Sequence, residues 1–112
     1  MSNGTSLSFL VYMIYNKSIW KYKGEESGYM EKAMAITGGK GYGFVFETAG
    51  QVPTMHMAFE LAANKAHVCF IGTPHEELSF TQNQWEKMNR KEFKLTGSWM
   101  SYSSPFPEKN GI

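Results

Sequence analysis

From Ser27 onward the apolar residues of this 112-residue chain switch back and forth between two spacings. That alternation limits the fold more than any other feature. Tyr29, Met30, Ala33, Met34 and Thr37 recur at intervals of three and four, the period of one helix face. Gly38 and Gly39 stop that helix. Phe44-Val45-Phe46 is a short run of β-formers, broken by Thr48-Ala49-Gly50. A second helix is expected over Gln51 to Lys65, with Pro53 at its first turn and Met55, Ala58, Phe59, Leu61 and Ala62 as its apolar stripe. Ala66 to Gly72 reads as a second buried strand and Leu78 to Phe80 as a very short extended piece. Thr81 and Gln84 form a capping box flanked by a Phe80–Trp85 staple, which opens a helix to about Arg90 with Trp85 and Met88 facing inward. Phe93 to Gly97 alternates as a third strand, and Ser98 to Pro107 reads as loop. Helices interleaved with apolar strands predict an α/β unit with a parallel sheet.

Composition removes several function classes. Eleven basic residues against ten acidic ones leave no basic surface for nucleic acid, so no nucleic-acid partner is expected. A single cysteine makes no internal disulfide, and with three scattered histidines it makes no Cys-rich structural zinc site. The apolar run Leu7 to Tyr15 is half the length of about 20 residues that spans a bilayer. No basic residue precedes it, and no A-x-A cleavage pattern follows it. It reads as a buried or aggregation-prone β-like segment. The chain is expected to be soluble and cytoplasmic, with no membrane partner.

Gly38 to Gly43 is glycine-rich but follows a helix and opens a strand, the reverse of a phosphate-binding loop, so it reads as a structural turn. Glu47 to Gly50 and Ile71 to Pro74 lie at the carboxyl ends of strands, where open α/β sheets bind ligands, and Gly97-Ser98-Trp99 follows the third strand in the same place. Ordinary strand-to-helix turns explain either of the first two alone; three along one edge make a candidate site. His56 reads as a solvated helix residue and His67 as a satisfied, half-buried strand residue, while His75 is placed to touch a ligand. Cys69, between Val68 and Phe70, reads as an apolar filler. Trp99 to Tyr102 carries the aromatics of a binding surface. No nucleophile elbow, paired-carboxylate site or H-E-x-x-H is present, so no catalytic residue is assigned.

Phe46-Glu47-Thr48-Ala49-Gly50, Ile71-Gly72-Thr73-Pro74-His75 and the long block from Arg90 to Pro107, with its L-T-G-S-W-M core, together resemble the medium-chain, zinc-type alcohol and polyol dehydrogenases. The likeness runs from about Glu31 to Pro107, some two-thirds of the chain; the third block is its specific part. It implies the second half of a Rossmann-type nucleotide-binding domain, incomplete, with three parallel strands equivalent to the fourth, fifth and sixth of that fold. By the same resemblance Thr48, Ala49 and Gly50 would lie near the ribose of NAD. Ile71, Gly72 and Thr73 would lie along its nicotinamide. Ser98, Trp99 and Met100 would approach its carboxamide. The family oxidises an alcohol, here expected to be a sugar-alcohol phosphate, by hydride transfer to NAD, with zinc polarising the alkoxide.

The departures from the pattern set the functional expectation. The G-x-G-x-x-G turn, the acidic ribose reader and every family zinc ligand lack a counterpart in the sequence. Residues 1–24 stand as an unassigned extension and 25–112 as a partial NAD-binding domain. The chain is therefore expected to be a catalytically silent dehydrogenase fragment that binds the nucleotide weakly at most. The alternative is a non-catalytic interaction module. It would self-associate, or dock onto a full-length dehydrogenase, through the sheet edge that the family's first strand normally fills.

Overall fold

The computed structural model describes residues 11–22 and 28–98. Its parallel strands are β3 (Tyr42–Glu47), β4 (Ala62–Phe70) and β5 (Lys94–Gly97), connected through helices α2 (Val52–Leu61) and α3 (Gln82–Lys91). Helix α1 (Tyr29–Ile36) precedes β3. These are the three parallel strands and three helices that the alternating periods predict. Ahead of them, β1 (Val11–Tyr15) and β2 (Ser18–Tyr22) form a hairpin turned by Asn16 and Lys17, both at positive φ. The sheet order is β2-β1-β3-β4-β5.

The hairpin corrects the expectation of an open edge. Strand β1 pairs antiparallel with β3, setting Met13 opposite Val45 and Val11 opposite Glu47. The β-like character of the run ending at Tyr15 was legible; its partner was not. The remaining edges of the described sheet are β2 and β5.

Register puts Met13, Val45, Val68 and Leu95 in one row across four strands. This face carries the core, with Phe59, Ala58 and Leu61 of α2, Ala33 of α1 and Phe93 packed against it. Both crossovers, β3-α2-β4 and β4-α3-β5, put their helices on that face, as the uniform handedness of parallel connections requires. Phe59 is the hub, with ring centroids 4.9 Å from Phe80, 4.9 Å from Phe93 and 6.0 Å from Trp85. Among the described residues, no helix is long and apolar enough to cross a membrane.

Two local expectations change. Helix α2 stops at Leu61, because Ala62 turns extended and pairs with Tyr42 in the sheet. The ammonium of Lys91 donates to the carbonyls of Phe59 (2.9 Å) and Glu60 (3.0 Å) and closes that helix end. Trp85 is 45% exposed; it folds its ring over Phe80 as a staple and does not enter the core. Met88 does pack against it. The capping box forms as read, with Gln84 N donating to Thr81 Oγ1 (3.1 Å) and Thr81 N to Gln84 Oε1 (2.8 Å).

Candidate functional site

The carboxyl ends of β3 and β4 are tied together through Glu47, the last residue of β3. Its carbonyl accepts from the N–H groups of Ile71 (2.8 Å) and Gly72 (3.0 Å), which holds the second turn against the first. Its side chain is fully buried. There Oε2 accepts from Gly50 N (2.9 Å), Gln51 N (3.4 Å) and Thr54 Oγ1 (2.5 Å), and Oε1 accepts from Gly50 N (3.1 Å). The carboxylate therefore sits beside the positive end of α2 and takes one donor of the helix start, the N–H of the N-cap Gln51.

Two glycines let the turns touch. Gly50 lies at φ +71°, and a Cβ there would stand 2.4 Å from the carbonyl oxygen of Thr73. A Cβ on Gly72 would stand 2.1 Å from Gly50 N. Such approaches exclude every side chain, so the backbones of residues 49–50 and 72–73 form one continuous rim. Ser98 N donates to Phe70 O (2.9 Å), bringing the turn after β5 alongside.

Thr48, Ala49, Gly50, Ile71, Gly72, Thr73 and Ser98 thus lie along one edge of the sheet. Trp99 and Met100, with the rest of the aromatic loop, lie outside the described residues. The rim opens on two hollows. Ala49 and Gly50 line one of about 240 Å³ with Gln51, His75 and Glu76. Thr48 and Ile71 line another of about 260 Å³, whose other walls are Tyr12, Ile14, Ile19 and Phe46. The first has a mixed wall to which Gln51, His75 and Glu76 bring polar side chains; the second is apolar. A larger hollow of about 490 Å³, walled by Met34, Lys40, Asn64 and Lys91 among others, lies by Ala62 at the other end of β4. That is the end where open α/β sheets do not bind ligands. Burial lowers the pKa of Lys91 there, against the pull of Glu60.

The histidines sort differently from one another. His75 is exposed and lines the first hollow beside Ala49 and Gly50. His67 is half-buried with Nε2 3.1 Å from Thr96 Oγ1, as expected. His56 is not simply solvated. Its Nε2 lies 2.6 Å from Ser79 O and its Nδ1 lies 3.2 Å from Gln84 Nε2, so it pins the long connection after β4 to α2 and α3. Cys69 is half-buried on the sheet face away from the helices, not a core filler. Among the described residues no three His, Cys, Asp or Glu side chains come together to hold a metal ion. The described residues do not fit a zinc site.

Glu47 is the residue that sequence reasoning passed over. The available signal was an acidic group ending an apolar strand shortly before a helix that opens with Val52-Pro53-Thr54. The Glu47 carboxylate lies against the start of α2, where a phosphate would meet a like charge.

Residues 16–110 match the model of the family described as zinc-binding dehydrogenase. Galactitol 1-phosphate 5-dehydrogenase of Escherichia coli K12 is 43% identical over 63 residues, which are 56% of this chain and 18% of that protein. The crystal structure of the galactitol-1-phosphate dehydrogenase from Escherichia coli superposes with a TM-score of 0.62 at 34% identity, covering 76% of this chain and 24% of its own. Benzyl alcohol dehydrogenase from Acinetobacter calcoaceticus gives 0.57 at 16% identity, covering 76% and 24%, which bears on the fold alone. The chain thus spans less than a fifth of the length of the curated relative and about a quarter of these solved chains.

Proposed function

The chain belongs to the zinc-binding dehydrogenase family, and on that premise we propose that it carries the ribose-and-nicotinamide edge of an NAD site without the rest of the catalytic apparatus. The observation that carries this reading is the glycine rim, where Gly50 and Gly72 leave flat backbone for a planar ligand to lie against. Thr48 to Gly50 would face the ribose, with His75 and Glu76 beside its hydroxyls, and Ile71 to Thr73 would lie along the nicotinamide. Ser98 N is already bonded to Phe70 O, so its carbonyl is the group left for the carboxamide.

Bound NAD would supply the hydride acceptor. The residues of the rim would position it; no described residue is placed to polarise an alcohol. Glu47 places its carboxylate beside the start of α2, which disfavours a pyrophosphate there. Hydride transfer needs acceptor and alkoxide held within about 3–3.5 Å of each other, and no described group holds the second. The substrate class of the wider enzyme is taken to be a sugar-alcohol phosphate, the class named for the 43% identical relative. On this reading the 112 residues alone are a silent nucleotide-domain piece.

The test is NADH formation by the pure chain with galactitol 1-phosphate, NAD and zinc. The reading expects none above the rate without protein. Turnover that scales with chain concentration would overturn it.

A further inference from the structure

His56 is half-buried on α2 with both ring nitrogens engaged, and the groups around it fix where its proton sits. Thr81 N donates to Gln84 Oε1 at 2.8 Å, so the carboxamide oxygen of Gln84 is committed to the capping box. Its NH₂ group then faces His56, 3.2 Å from Nδ1. An amide nitrogen only donates, so Nδ1 must accept. Ser79 O, 2.6 Å from Nε2, only accepts, so Nε2 must carry the proton. The ring of Phe80 packs against the imidazole with centroids 4.8 Å apart and holds its orientation. Thr81 N–H, Gln84, His56 and Ser79 O thus agree on one arrangement, in which His56 is neutral.

We propose that His56 is a pH-sensitive latch on the start of α3, whose charging breaks one half of the capping box. The imidazolium has two donors and no acceptor. Its Nε2–H keeps Ser79 O. Its new Nδ1–H meets the NH₂ of Gln84, donor against donor. Half a turn of the carboxamide brings Oε1 to Nδ1–H, but it sets the NH₂ against Thr81 N–H, which loses its acceptor. The two ends of the carboxamide face different partners, so its single oxygen serves one donor or the other. The bond from Gln84 N to Thr81 Oγ1 is untouched. Histidine is the side chain whose charge changes near neutral pH. The charged groups on the elements around the ring are Glu60 on α2, ion-paired with Lys87 of α3 at 3.2 Å, Lys91 of α3, and His75, Glu76 and Glu77 on the connection after β4. The ring bonds to none of them.

The test follows hydrogen exchange of Thr81 N–H in the full chain by nuclear magnetic resonance, corrected for its intrinsic pH dependence, beside the ring-nitrogen shifts of His56. As the ring takes up its proton between about pH 8 and pH 5, Thr81 N–H is expected to exchange about threefold faster or more, the change when one neutral hydrogen bond is lost. Gln84→Glu offers an oxygen at each end, so its Thr81 N–H should stay protected through the same titration. His75→Gln removes the neighbouring histidine and should leave the response of the parent intact. Should a variant not fold, the parent alone decides: its ring shifts must report the Nε2–H form at high pH, and Thr81 exchange must follow the ring's titration. Exchange that does not follow His56, that rises equally in Gln84→Glu, or that loses its response in His75→Gln would overturn the proposal.

Discussion

Replacing Glu47 by Gln tests how the two turns are held. The carboxylate accepts three donors at Oε2 and a second contact from Gly50 N at Oε1. The amide keeps one acceptor oxygen at the Oε2 position and places an NH₂ against Gly50 N–H. The remaining bonds lose their charge assistance, which roughly halves a bond worth about 1.5–3 kcal/mol. A negative charge at a helix N-terminus adds about 0.3–1 kcal/mol, more when buried. Two strong bonds weakened and one charge removed come to about 2–3 kcal/mol. Glu47→Ala also leaves a cavity and unpaired buried donors, so about 4 kcal/mol is expected. In urea unfolding, with an m-value near 2 kcal/mol/M, the Gln variant should shift the midpoint down by about 1–1.5 M. Thr54→Val alone should cost about 1–2 kcal/mol. Combined with Glu47→Gln it should cost less than the sum, because the two share a bond. A Gln variant within about 0.5 kcal/mol of the parent would refute the view that Glu47 ties the rim.

Gly72→Ala should be far worse than its size suggests. Its Cβ would meet Gly50 N at 2.1 Å, a backbone atom with no room to retreat, so the variant should unfold or lose its rim. A melting temperature within a few degrees of the parent would contradict the close approach. Tyr42→Phe removes the 2.7 Å bond from the Tyr42 hydroxyl to Ala33 O and should cost about 1 kcal/mol at neutral pH. Burial, with smaller contributions from Tyr29 and Tyr15, raises the Tyr42 pKa above the ordinary tyrosine value of about 10. The unfolded chain therefore loses this proton first. The stability tied to it is complete below pH 10, falls as pH rises through the folded-state value, and so falls less in the Phe variant, as denaturation at pH 8 and 11 would show.

Much of the scaffold was legible because its signals are local. Thr81 and Gln84 announce their helix from four residues, and the apolar runs around Val45 and Val68 announce strands, although each strand is buried on one face only and Phe44 is 49% exposed. The misses came where a distant partner decides. Ala62 fits the α2 stripe by spacing, yet pairing with Tyr42 and the Lys91 cap draw it into β4. His56 looks solvated until Ser79 and Gln84 arrive from elsewhere in the chain. The pairing of β1 with β3 is non-local in the same way, and spacing within either strand does not specify it. At the site, the glycines marked the rim. The burial of Glu47 beneath it was hidden, because a glutamate at a strand end normally reads as solvated.

The measurement that bears most directly on the functional account compares two ligands for the same chain by titration calorimetry. If the chain offers only the ribose-and-nicotinamide edge, NAD and nicotinamide mononucleotide bind with the same weak affinity, within about threefold, because the pyrophosphate and adenosine find nothing to hold. A complete dinucleotide site would instead bind NAD at least a hundredfold more tightly than the mononucleotide, and that result would contradict the account.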